Sequence, residues 1–225
     1  MGDMVIQFIR NCTACSRSKT HFRQGRTQLQ PLPIRGLFYR WGIDFCGPFP
    51  PTAKGNKYII VAVDHFSKWA EFMAVPDKSA KTTSDALLDH ILARFGALGE
   101  VITDQGSEFE GAFHTLLNQH HITHRTPGKE HPQSDGLAER LVQTLKSALR
   151  KTLFTRHRQD WDLYLPYIAM GYRMTKQAST GYTPYYLTYG RHPLFQANNQ
   201  DAEHDFLPLD KNLPKFLEER GKLYQ

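Results

Sequence analysis

Cysteine is scarce in this chain: Cys12, Cys15 and Cys46 are the only three among 225 residues. So few exclude a disulfide scaffold and fit a reducing compartment. Long hydrophobic runs are missing too. The best, Tyr58–Val63, is strand-sized and far short of the ~20 apolar residues that span a bilayer, so no membrane partner is expected. No signal peptide is visible, which sets the expectation of a soluble intracellular protein. There is no internal repeat and no low-complexity tract. Beyond residue 40 there is also no charge imbalance. Residues 1–40 hold seven Lys/Arg against the single acid Asp3, so the totals of 28 basic and 22 acidic residues leave 21 of each for 41–225. The whole net charge of +6 sits in the N-terminal arm. Such an arm suits a polyanion, because each phosphate contact releases condensed counterions.

What is present is enough for a packed globule: 40% of residues are hydrophobic and 12% aromatic. Residues 1–15 read as the tail of something larger. Residues 16–36 are polar, basic and broken by Gly25, Pro31, Pro33 and Gly36, as a linker would be. From Trp41 the pattern changes. Trp41–Phe45, Lys57–Asp64 and Trp69–Val75 carry strand signals at hairpin distances. Thr82–Phe95 has helical spacing, closed by Gly96. Glu100–Thr103 is a brief strand, Phe109–Gln119 a second helix and Ile122–Arg125 a short strand. Residues 127–136 are a Pro/Gly-rich loop, Leu137–Phe154 a long helix and Trp161–Met174 another. Gly181, Pro184, Gly190 and Pro193 predict turns, and Lys215–Arg220 a short final helix. Three strands in meander, then helix, strand, helix, strand and two helices, make a mixed α/β sheet flanked by helices rather than a doubly wound parallel fold.

Three acids stand out. Asp44 lies inside an apolar strand between Ile43 and Phe45, where a charge is costly unless paired or bound to a cation. Asp104 follows a strand end, just before Gly106, and Glu139 enters the long helix. The three are expected to meet at one sheet edge. Close carboxylates raise one another's pKa and call for a cation. An all-oxygen set selects Mg²⁺ or Mn²⁺. Two such ions, ~3.5–4 Å apart, stabilise the attacking and leaving oxygens of an in-line displacement at phosphorus. Each acid alone has an ordinary reading, as a turn former or a helix-start charge.

The wording around them is more specific. Val101-Ile102-Thr103-Asp104-Gln105-Gly106-Ser107-Glu108-Phe109, followed by His131-Pro132-Gln133-Ser134-Asp135-Gly136-Leu137-Ala138-Glu139-Arg140, resembles the integrase catalytic core of gypsy-type long-terminal-repeat retrotransposons and retroviruses. Trp41-Gly42-Ile43-Asp44-Phe45 and Val63-Asp64-His65-Phe66-Ser67-Lys68-Trp69 are similar to that family's first two strands. Ser179-Thr180-Gly181-Tyr182-Thr183-Pro184 with Tyr189-Gly190 is similar to its closing motif. Asp104 and Glu139 have 34 residues between them, one fewer than the family's usual spacing.

The resemblance implies a ribonuclease-H-like fold with a five-stranded mixed sheet and the catalytic, metal-binding set Asp44, Asp104 and Glu139. It implies DNA integration in two steps, 3′-end processing and strand transfer, with two Mg²⁺ or Mn²⁺ ions. The competing classes are a hydrolysis-only nuclease of the same fold and a domesticated or decayed copy acting as a nucleic-acid-binding or assembly module. The partners implied are element-end and target DNA and a homo-oligomer, with no small-molecule substrate, and the place of action is the nucleus. Residues 1–22 would be a truncated remnant of a His-His-Cys-Cys zinc domain, 23–36 a basic linker, 37–195 the core and 196–225 a C-terminal extension. Cys12 and Cys15 have the spacing of half a zinc site. No histidine precedes Cys12, so zinc is expected only in a full-length protein.

On a wheel of ~100° per residue, Asp135, Glu139, Gln143, Lys146 and Arg150 share one strip of the long helix. Leu137, Leu141, Leu145, Ala148 and Leu149 share the core strip. The polar strip makes a track for DNA leaving Glu139, and by resemblance Gln143 and Lys146 match positions that touch the element's terminus. His131 and Gln133 lie in the loop most apt to move on DNA binding. Cys46 reads as a small buried hydrophobe and Asp64 as structural. His120, His121 and His124 read as surface or core histidines. Trp69, Trp161 and the tyrosines at 182, 185, 186 and 189 read as packing.

Overall fold

The computed structural model describes residues 35–126, 136–153 and 158–193. Three antiparallel strands open the fold: β1 (Arg40–Cys46), β2 (Tyr58–Asp64) and β3 (Ala70–Val75). A helical run, α1, follows as Ala80–Leu87, a π turn at Leu88–Leu92 and Ala93–Phe95. Strand β4 (Glu100–Ile102), helix α2 (Ala112–Gln119) and strand β5 (Thr123–Arg125) come next, then helices α3 (Gly136–Thr152), α4 (Trp161–Met174) and α5 (Pro184–Tyr189). The sheet order is β3-β2-β1-β4-β5, with β4 parallel to both β1 and β5. This is the expected five-stranded mixed sheet.

Strand parity divides the core. Successive residues of a strand face opposite sides. On one side Trp41, Ile43, Ile60 and Ala62 pack with Leu87, Ile91, Phe113 and Leu117 of α1 and α2. On the other, Cys46, Ile59, Val61 and Val63 pack with Ala138, Leu141, Val142 and Leu145 of α3 and with Trp161 and Leu165 of α4. β2 is buried on both faces, which is why it reads as a continuous apolar run rather than an alternation.

Several boundaries differ from the sequence reading. α2 begins three residues later than expected, because a 3₁₀ turn at Ser107–Phe109 and Gly111 at φ 52° intervene. The turns expected around Pro184 enclose a helix instead. Thr183 caps α5 by accepting from Tyr186 N at 3.1 Å, Pro184 takes its first turn, and Gly190 ends it in the left-handed region. On α3 the buried strip is Ala138, Leu141, Val142, Leu145 and Leu149, while Leu137 and Ala148 are half-buried. The core stripe is thus turned toward 138 and 142 relative to the wheel. The expected helix at Lys215–Arg220 lies outside the described residues.

Candidate active site

Asp44 shares its strand parity with Gly42 and Cys46 and so faces α3. Gly42 lies beneath α3 on that face. A Cβ placed there would stand 3.5 Å from Ala138 Cβ and 3.2 Å from His65 Nε2. Ala138 of α3 packs in the same cluster as Val61 and Val63 of the sheet, and Glu139 follows Ala138 directly. Asp104 reaches the same region from the next strand. It stands two residues past the end of β4, held in an Asx turn in which Gly106 N donates to Asp104 Oδ1 at 3.1 Å. Asp44 and Asp104 therefore stand toward the C-terminal ends of adjacent central strands, with Glu139 of α3 within electrostatic reach of Asp44. The sequence reading placed them at a sheet edge, but β1 is the middle strand of the sheet.

The electrostatics agree with this placement. Asp44 is half-buried, and desolvation pushes its carboxyl above the ordinary carboxylate value of 3.8, with repulsion from Asp104 and Glu139 adding to the rise. The hydrogen bond from Phe45 N to Asp44 Oδ1 at 2.6 Å and the charge of Lys78 oppose it. Three acids from three elements thus share one electric field. Asp104 and Glu139 are exposed. Among the described residues, no group of three His, Cys, Asp or Glu side chains stands close enough to hold a metal ion as they lie. The donor set is nonetheless all oxygen and mutually repelling, so its chemistry suits a hard divalent cation.

Two lysines lie near β1, Lys78 acting on Asp44 and Lys146 on Cys46. Lys146 on α3 lies within electrostatic reach of Cys46, whose thiol burial pushes up to about 11, with Lys146 lowering it and Asp44 raising it. Cys46 is 1% exposed and inert as a thiol, as expected. Lys78 stands on the far side, 2.5 Å from Glu108 Oε1 and 5.0 Å from the centroid of the Phe45 ring. Sequence reasoning missed Lys78, since nothing in its local wording points to β1. It also missed Gly42, whose role depends on a helix nearly a hundred residues away. Gln143, Lys146 and Arg150 are all exposed on α3, as the wheel predicted. Asp135, Gln133, His131, Cys12 and Cys15 lie outside the described residues. Asp64 is fully buried and accepts from Ser67 N and Ser67 Oγ, both at 2.7 Å, so it closes the β2–β3 turn. His120 and His121 are exposed at the end of α2.

Comparisons with known proteins identify the class. Residues 37–132 match the integrase core domain family. The fold resembles a chain of the simian T-cell lymphotropic virus intasome in complex with the PP2A regulatory subunit B56 gamma. That likeness has a TM-score of 0.61 at 22% identity, over 84% of this chain and 67% of that one. The HTLV-2 integrase catalytic core in complex with magnesium is similar over 67% of this chain and 97% of its own, with a TM-score of 0.54 at 22% identity. The fold is ribonuclease-H-like.

The chain belongs to the retroviral integrase superfamily. It is 30% identical over 155 residues, 68% of its length, to the retrovirus-related Pol polyprotein of transposon 412 from Drosophila melanogaster. It is also 30% identical over 215 residues, 93% of its length, to the Gag-Pol polyprotein of koala retrovirus. It spans 12% of the length of each of these polyproteins.

Proposed function

We propose that this chain carries out DNA integration as a divalent-metal-dependent polynucleotidyl transferase, performing 3′-end processing and strand transfer on retroelement DNA. The observation that carries the reading is the convergence of Asp44, Asp104 and Glu139: desolvation first, then repulsion from the other two acids, raises the Asp44 carboxyl on the central strand. The intasome and the magnesium-bound core among its structural neighbours support DNA and magnesium as partners. The dimeric and trimeric forms of the HTLV-2 core support a homo-oligomer. Asp44, Asp104 and Glu139 would hold two Mg²⁺ or Mn²⁺ ions, which supply charge neutralisation for the oxygens entering and leaving phosphorus.

The chain's own residues orient the DNA. Gln143, Lys146 and Arg150 bind phosphates along α3, and Lys78 presents a cation from the opposite side. In the first reaction a water oxygen bonds to phosphorus and the bond to the 3′-oxygen breaks, leaving a free 3′-hydroxyl. In the second that hydroxyl bonds to a target phosphorus, and a target 3′-oxygen leaves and takes up a proton. Bond count is conserved in both, so no external energy source is needed.

The test is incubation with Mn²⁺ and labelled DNA ends. Joined products support integration, cleavage without joining supports a nuclease, and neither product supports a binding module. Glu139→Gln must abolish every product, or the site assignment is wrong.

A further inference from the structure

We propose that His124 is a positioning residue for Asp104, acting through the hydroxyl of Thr103 to fix the turn that presents the carboxylate. The inference rests on the reading of Asp104 as part of the metal-holding set.

Thr103 sits between the last residue of β4 and Asp104 and is fully buried. Its Oγ1 donates to the carbonyl oxygen of Asp104 at 2.8 Å and lies 2.8 Å from His124 Nε2. A threonine hydroxyl has one proton and two acceptor lone pairs. With that proton given to the Asp104 carbonyl, Nε2 must be the donor toward Oγ1. The chain then runs in one direction, from His124 Nε2–H to Thr103 Oγ1–H to Asp104 O, and cooperative polarisation strengthens it.

The scaffold around it is built to hold this direction. His124 is paired with Val101 in the parallel β4–β5 ladder, and Thr103 N donates to Arg125 O at 3.2 Å. The imidazole stands edge-on to the Phe113 ring at 5.7 Å, which restricts its rotation. Desolvation, then the charge of His114, lowers the His124 pKa and favours the neutral ring, which has one N–H to place. Asp104 itself is exposed, and among the described residues its carboxylate is tethered by the bond from Gly106 N. Pinning its backbone from behind is what the fold supplies in place of burial.

The test uses the full chain and reads Mn²⁺ affinity, the kcat and KM of DNA joining, and the His124 tautomer by ¹⁵N NMR. The wild type should show the Nε2–H tautomer. Thr103→Val and His124→Phe should each weaken Mn²⁺ binding and kcat by roughly 10–100-fold, the usual effect of losing a partner of a metal-orienting ligand, with KM for DNA unchanged. The double variant should be no worse than either single one, because both break one chain. His124→Gln, which keeps a donor at similar reach, should recover most of the loss. An Nδ1–H tautomer in the wild type overturns the proposal whatever the stability of the variants. So does wild-type Mn²⁺ affinity in His124→Phe when Asp104→Asn has lost it. If Asp104→Asn also keeps wild-type affinity, the metal-site reading fails first and the positioning role with it.

Discussion

Asp44 is placed at a cost. Its carboxyl is raised above 3.8 first by desolvation and then by Asp104 and Glu139. An acid with a raised folded pKa holds more protons folded than unfolded, so its stabilising share is present at low pH and lost as pH rises through the raised value. Asp44→Asn should therefore raise Tm at pH 7 without divalent metal, by roughly 2–4 °C for each kcal/mol of relieved repulsion. The gain should shrink as pH falls to the ordinary carboxylate range. Scanning calorimetry across pH checks this, and a lowered Tm at pH 7 would count against it. His65 makes a second residue-scale case. Burial, with Lys68 and Arg40 nearby, lowers its pKa to about 3. Its imidazole resonances should not titrate between pH 5 and 8; a midpoint near 6.5 would show that the ring is not buried beside Gly42. Its stability contribution has the opposite slope to that of Asp44, being lost as pH falls from 6.5 toward 3. The three acids stood out in the sequence because the wording around each is distinctive. Gly42, Lys78 and His124 did not, since each acts through a neighbour that only the folded sheet supplies.

At the scale of the element, α3 has two separable faces. Leu145 is fully buried against β2 and α4, whereas Lys146 is exposed, within electrostatic reach of Cys46. Leu145→Ala should cost about 2–5 kcal/mol in urea denaturation, the range for a truncated core leucine. Lys146→Ala should leave that midpoint in place and reduce the slope of log affinity for DNA against log salt by about 1, as loss of one phosphate contact does. A Lys146 variant with an unchanged salt slope would remove α3 as the DNA track. The helical period made this division readable in advance, but only to within one residue. The stripe drifted toward Ala138 and Val142 because those residues pack with Ile59, Val61 and Val63 of β2, a contact invisible in the helix's own sequence. α5 was missed for a different reason: its Thr-Pro start and Gly end are helix caps that also read as turn residues when the helix between Thr183 and Gly190 is six residues long.

Across the whole molecule, the site depends on β1 and β4 lying side by side. Glu100 is 3% exposed and receives Arg40 from β1 and Arg125 from β5, so one buried carboxylate ties three strands at the start of β4. Glu100→Ala should cost ~3–5 kcal/mol, as removing one partner of a buried ion pair does, since it leaves Arg40 inside without this carboxylate. The strand types and their order along the chain were readable from pattern. That β1 is central was not, because parallel pairing with β4 is a long-range contact that local periodicity cannot encode. That centrality is what brings Asp44 and Asp104 to neighbouring strand ends and Glu139 over them from α3. The most direct measurement is anomalous diffraction from crystals soaked in Mn²⁺. Two peaks coordinated by Asp44, Asp104 and Glu139, both absent from Asp44→Asn crystals, are the predicted result. Peaks elsewhere on the surface, with none at these carboxylates, would contradict the account.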